Sequence, residues 1–271
     1  MKICVLGLDC AAPEIIFHDE RLQNIRVALG KVDYLEVLGF SDHQSTAAVW
    51  YRLLNCGFRL PAGAGTDAMA NFASLRGPVG LNRVYVRTPP GPLRMELWLE
   101  GLRKGHSFAT NGPLIDFALG GKSIGDELNL PEGRHELQFT AWLRSIVPVD
   151  HLEIVCNGQV VKSLPLSGSR HSADARGTLP IEKSGWCLLR AWSEKAEHPV
   201  LDSYPYATSS PIYVTVGGAP VRSPVDAAYF LAWIDRLKKA TEAHQDWNTA
   251  AEKAEVLKLL AEAAKRFKTE N

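Results

Sequence analysis

The order of apolar and polar positions divides the chain into an α/β stretch, an all-β stretch and a helical tail. Lys2–Leu8 (KICVLGL) is a short apolar run with β-branched residues ahead of Asp9 and Pro13, the pattern of a buried strand that runs into a loop or helix start. Val32–Leu38 (VDYLEVL) reads as a second strand. Thr46–Cys56 has helical periodicity with Gly57 as its stop, and Leu60–Thr66 (LPAGAGT) is a Gly-rich, strand-like return. Strand, helix, strand predicts a βαβ unit. Asn82–Arg87, after the RGPVG turn, predicts another strand, and Leu97–Lys104 a short helix closed by Gly105.

From about Leu114 the period shortens. Glu136–Leu143, Leu152–Cys156, Gln159–Leu164, Trp186–Trp192 and Pro211–Val216 read as strands, and Asn157-Gly158 is a strong hairpin signal between two of them. Short strands punctuated by turns predict a β-sandwich. Thr110-Asn111-Gly112-Pro113 reads as a turn leaving the α/β layer and marks a boundary near Pro113. Beyond Gly217-Gly218, Ser223 is a candidate N-cap with Pro224 in the first helical position. Ala227–Lys239 and Glu252–Lys268 then predict two helices that pair as an antiparallel hairpin through Trp233, Leu237, Leu257 and Leu260.

Charge removes two function classes. The 30 Lys+Arg residues cancel the 30 Asp+Glu residues, so the basic footprint of a nucleic-acid binder is missing. No stretch stays apolar over the ~20 residues a spanning helix needs, and the start MKICVLGLDCAAPEII lacks the regions of a signal peptide. A cytoplasmic protein without membrane or nucleic-acid partners is therefore expected. Cys4, Cys10, Cys56, Cys156 and Cys187 are odd in number and show no metal-ligand spacing, which predicts free, mostly buried thiols.

Candidate chemistry is sparse. The eight histidines form no HxH, HxxxH or HExxH motif. Asp42-His43 follows a predicted strand and offers an acid/base or ligand pair, although adjacent pairs of this kind are common. Asp67 follows the Gly-rich strand end, where barrel-type α/β folds place catalytic and metal residues; an ordinary turn Asp is the simpler reading. Glu36 interrupts an apolar strand, so it must be paired, bind metal or lie on a sheet face open to water. Trp142, Trp186, Trp192, Tyr204 and Tyr206 either fill a sandwich core or line a ligand surface.

Longer motifs carry a resemblance. YLEVLGFSDHQSTAAVWYRLLNCGFRLPAGAGTDAMANFASLRGPVGLNRVYV, LRKGHSFATNGPL, LRSIVPVDHLEIVCNGQVV and YPYATSSPIYVTV occur in an order that resembles the C-terminal part of PHP-type metallohydrolases of the carbaryl-hydrolase-like (CehA/McbA) group, over about residues 27–271. The resemblance implies a distorted (β/α) barrel followed by a β-rich domain. It also implies zinc, manganese or iron, and hydrolysis of esters, amides or phosphoesters of a small-molecule substrate by metal-activated water. It makes Asp67 and Glu36 the metal ligands. Met69 stands where the family pattern has a histidine, and His106 where relatives carry Arg, so His106 is not expected to be a ligand.

Residues 1–26 resemble instead the first strand and loop of alkaline-phosphatase-superfamily phosphodiesterases, whose opening GLD would make Asp9 a metal ligand. The chain thus joins the head of one hydrolase family to the tail of another near Ile25–Gly30, without the HxH motif of the second. At about 30 residues per βαβ unit, Val27–Gly112 supplies only two or three units, too few to close a seven-stranded barrel. The expected architecture is an incomplete barrel remnant (27–113), a β-sandwich (114–217) and C-terminal helices (218–271). Two functions follow: a hydrolase fragment with an incomplete site, or a non-catalytic sandwich module for binding. Open strand edges on the remnant also predict self-association.

Overall fold

The structure, a computed structural model, describes residues 23–69 and 77–268. The strand expected at Lys2–Leu8 and the candidate ligand Asp9 lie outside them. The described residues form mixed helix and sheet, mostly β, with no closed barrel.

A short helix that the sequence pattern did not announce, α1 (Gln23–Ala28), leads into β1 (Leu35–Leu38), α2 (His43–Asn55) and β2 (Ala62–Ala64). β1 and β2 pair in parallel, with Leu35 opposite Ala62 and Glu36 opposite Gly63, so the expected βαβ unit exists as one crossover and two strands. α2 begins earlier than its apolar period suggests. Asp42 adopts an extended N-cap conformation and accepts the Ser45 N–H at 2.8 Å, which recruits His43 into the first turn.

β3 (Arg83–Val86), α3 (Met95–Arg103) and β4 (Ser107–Thr110) follow. Then come β5 (Leu114–Leu119), β6 (Lys122–Ser123), β7 (Glu127–Leu130), β8 (His135–Arg144), β9 (His151–Cys156) and β10 (Gln159–Ser163). The last strands are β11 (Ser172–Ile181), β12 (Gly185–Trp192), β13 (Tyr206–Ser209) and β14 (Ile212–Val216). One sheet runs β10-β9-β12-β13-β4-β3, with β14 joining β12 to β7, and a second runs β11-β8-β5-β6. In β5 the alternate residues Ile115, Phe117 and Leu119 are buried, and they share a core with Leu143 of β8 and with Ile154 and Leu189 of the larger sheet. That is the packing expected of two sheets face to face.

Two expectations need correction. β3, the strand expected at Asn82–Arg87 in the α/β region, belongs to the larger sheet, because β4, a strand that was not expected, hydrogen-bonds to both β3 and β13. The turn at Pro113 is therefore no break between layers. Cys156 and Cys187, expected as free thiols, form a disulfide. They sit directly opposite in the antiparallel β9–β12 pair, so sheet register alone brings them together.

Asn157-Gly158 makes the hairpin turn, both residues having positive φ (52° and 81°) as a type I′ turn requires. The tail forms α4 (Pro224–Ala243) and α5 (Ala250–Lys268), with the Ser223 hydroxyl capping α4 as expected. Phe230, Ile234, Leu260, Ala263 and Phe267 from these helices pack into one apolar cluster with Ile25, Leu35, Val37 and Leu54. The hairpin thus covers an apolar face of the β1–α2–β2 unit. No helix among the described residues is long and apolar enough to cross a membrane.

Candidate binding site

The carboxyl ends of parallel strands are where side chains from successive loops converge. Here β1 ends at Leu38, and the chain continues through Gly39 and Phe40 into the N-cap of α2. Facing these residues are Leu81 and Asn82, just ahead of β3, and the loop between β12 and β13. Together they enclose a pocket of about 570 Å³, whose sandwich-side wall includes His198, Val200, Leu201 and Asp202. The site lies between the α/β layer and the sandwich.

Glu36 lies beneath the α/β wall and is only 5% exposed, so the reading of a sheet face open to water is excluded. Its carboxylate fills space that two glycines leave. A Cβ on Gly39 would fall 2.6 Å from Glu36 Oε1, and one on Gly65 would fall 3.0 Å from Oε2. Asn82 ties the same two strand ends together, since its Nδ2 donates to the carbonyls of Gly39 and Gly65, each at 3.2 Å. Both partners are carbonyl oxygens, which fixes the orientation of the amide. Asn82 Oδ1 is then left buried with no hydrogen-bond partner among the described residues. Thr66 holds the Asn82 backbone by accepting its N–H at 2.9 Å.

Asp67 lies beyond the end of β2, exposed, with a left-handed φ of 54° that Asp tolerates better than most residues. Glu36 and Asp67 are two carboxylates at different depths. Among the described residues no group of three or more His, Cys, Asp or Glu is placed to hold an ion. A catalytic ion generally takes three protein ligands, so these two residues as they stand do not fit one.

The Asp42-His43 pair is divided. Asp42 stays at the surface of α2, capping the helix and accepting the Tyr204 O–H at 2.6 Å, while the Tyr204 oxygen accepts Gln44 N–H at 3.1 Å. His43 turns inward, is 2% exposed, and places Nε2 2.9 Å from Asp202 Oδ2. A carboxylate only accepts, so Nε2 carries a proton, while the buried Nδ1 has no hydrogen-bond partner among the described residues. Asn111 completes the knot. Its Nδ2 donates to Asp202 Oδ2 (2.9 Å) and to the Tyr204 carbonyl (2.8 Å), and its Oδ1 accepts the Tyr206 N–H at 2.7 Å. Burial pushes the Asp202 carboxyl up, but the hydrogen bond and electrostatic attraction of His43, with the hydrogen bonds from Asn111 and the Ser203 backbone, outweigh it and hold the group below the usual carboxylate range. Asp202 is therefore an anion in the pocket wall at neutral pH.

The remaining candidates are structural. His106 lies 3.4 Å from Asp126 at the surface, away from the pocket wall. Trp186 and Tyr206 are fully buried where the sandwich meets α2, and the Trp186 indole donates to Asn55. Trp192 donates to Glu153 and stacks on His151, and Trp142 and Tyr204 are half-buried. Trp186, Trp192, Tyr204 and Tyr206 pack at the apolar cluster between the layers, and Trp142 lies apart on β8 with the Arg144 guanidinium over its ring. The sequence reading missed Asn82, Asn111 and Asp202. The one local signal was the pair of glycines at 39 and 65, which marks close approach of another group. Comparison of the chain with protein-family models and with curated proteins finds no match.

Proposed function

We propose that the chain is the C-terminal portion of a PHP-like metal-dependent hydrolase that lacks a full set of metal ligands, and that by itself it holds a small molecule in the pocket at the carboxyl end of β1. The resemblance of the motifs supports the first half of this reading. The pocket supports the second, because its walls come from both layers and are fixed by hydrogen bonds of Asn82, Asn111 and His43 before any ligand arrives. Should a divalent zinc, manganese or iron ion bind, Glu36 and Asp67 would be its ligands here. Two carboxylates without imidazole would hold it weakly.

The alternative of a sandwich that binds through its own aromatics is weaker, since Trp186 and Tyr206 are buried, Trp192 and Tyr204 pack against the same cluster, and Trp142 lies apart from them. The Cys156–Cys187 disulfide supports an oxidising compartment over the cytoplasm. The test is hydrolysis of 1-naphthyl acetate by the full chain after incubation with zinc or manganese. The expected result is a rate no faster than metal-containing buffer and no change on Asp67→Ala. Hydrolysis that is lost both with chelator and in Asp67→Ala would overturn the reading.

A further inference from the structure

Asn-Gly occurs twice in the chain, at Asn111-Gly112 and at Asn157-Gly158. Glycine has no Cβ to screen its backbone nitrogen, so in an unfolded chain that nitrogen can reach the preceding carboxamide equally well at both places. The fold treats the two pairs differently. Asn111 is 3% exposed and its amide is fully engaged, Nδ2 donating to Asp202 and to the Tyr204 carbonyl while Oδ1 accepts the Tyr206 N–H. The Gly112 N–H is also held, by Thr110 Oγ1 at 2.9 Å. Any reaction there would first have to break the bonds that fix the pocket wall.

Asn157 stands exposed at the tip of the β9–β10 hairpin. Its Nδ2 has no hydrogen-bond partner among the described residues, and neither has the Gly158 N–H. The carboxamide takes part in one hydrogen bond, from the Trp186 N–H to Oδ1 at 3.0 Å. That donor sits on the oxygen that gains negative charge when a nucleophile adds to Cγ, so it favours the addition. We propose that Asn157 is a site of spontaneous deamidation in the folded protein and that the fold protects Asn111. The Gly158 nitrogen gives up its proton to solvent hydroxide and bonds to Asn157 Cγ. The Cγ–Nδ2 bond breaks, Nδ2 leaves as ammonia and a succinimide closes. Water then opens the ring, at Cγ to leave aspartate or at the backbone carbonyl to leave isoaspartate. Either product sets a carboxylate beside the Trp186 N–H, where the Trp186 indole and the Asn157 carbonyl meet Asn55 of α2. The change therefore falls on a join between the sandwich and the α/β layer.

The experiment is to incubate the full chain in mildly alkaline buffer, folded and in parallel in concentrated urea, and to follow both Asn-Gly peptides by mass spectrometry with isoaspartate separated by chromatography. In the folded chain Asn157 should convert at least about tenfold faster than Asn111. In urea the two rates should draw together, because the bonds that hold Asn111 are gone. Asn157→Gln keeps the amide but needs a larger ring, and should abolish the folded-state conversion at this position. Asn111 converting as fast as Asn157 in the folded chain would overturn the proposal. So would an Asn157 that stays intact when folded yet converts in urea, since the turn would then lock the side chain away from attack.

Discussion

The sandwich and the α/β layer are built on opposite principles. The sandwich closes on itself: Ile115, Phe117, Phe139, Leu143, Ile154 and Leu189 come from its two sheets and meet in one apolar core. The α/β layer has two short strands and no core of its own. Leu35, Val37 and Trp50 are buried only because Trp186, Leu188 and Tyr206 of the sandwich and Phe230, Leu260 and Phe267 of the C-terminal helices join them. The layer buries the ionisable groups Glu36 and His43, and the sandwich buries Glu153, which is paired with Arg190. A layer completed by its neighbours places its loops against them, and that is where the pocket forms.

The contrast fails first if Phe230 is not what holds the layer. Phe230 is fully buried and stacks on Phe267 at 5.0 Å between ring centroids. Phe230→Ala should cost about 3–5 kcal/mol. Hydrogen exchange should rise first in β1 and α2 while β8 and β9 stay protected, and equal loss of protection in all four would show one cooperative unit instead. Removing the disulfide should act on the other side. Replacing Cys156 and Cys187 together by Ala is expected to cost about 2–4 kcal/mol, read by urea unfolding, with exchange rising in β9 and β12.

His43→Ala sharpens the comparison at the join. It takes a hydrogen bond from Asp202 and should cost roughly 1–3 kcal/mol. The sign with pH follows from Asp202, whose carboxyl is held below its ordinary value in the folded chain. Its contribution is fully present above the unfolded value, about 3.9, and is lost as pH falls through the lower folded value. His43→Ala should shrink that acid-dependent loss, measured by urea midpoints at neutral pH and near pH 3. The smallest effect is expected at the helix cap. Ser223 Oγ accepts the Asp226 N–H at 3.3 Å, and Asp226 in turn accepts from Arg52 and Asn55 of α2. Ser223→Ala should cost about 1 kcal/mol, seen as a small drop in midpoint.

Local pattern carried the elements with a strong period or an unmistakable turn. The βαβ unit, the hairpin at Asn157-Gly158 and the cap at Ser223 each depend on residues a few positions apart, so the sequence alone places them. β11 was invisible because Gly177 and Pro180 interrupt it, yet it pairs with β8 along its whole length. The site was less legible. Glu36 stood out as a charge in an apolar strand, but its glycine cradle depends on how β1 and β2 align. Asp202 gave no signal, since its partners His43 and Asn111 are far away in the chain.

Helix caps, tight turns and the alternation that makes two-faced strands were legible from local residues, because backbone sterics and neighbouring side chains set them. The pairing of β3 with β4 in the larger sheet, the meeting of Cys156 with Cys187 and the inward turn of His43 toward Asp202 come from long-range packing. Each of those depends on which strand or loop becomes a neighbour, a choice made by burial of apolar surface over the whole molecule rather than by any local run of residues.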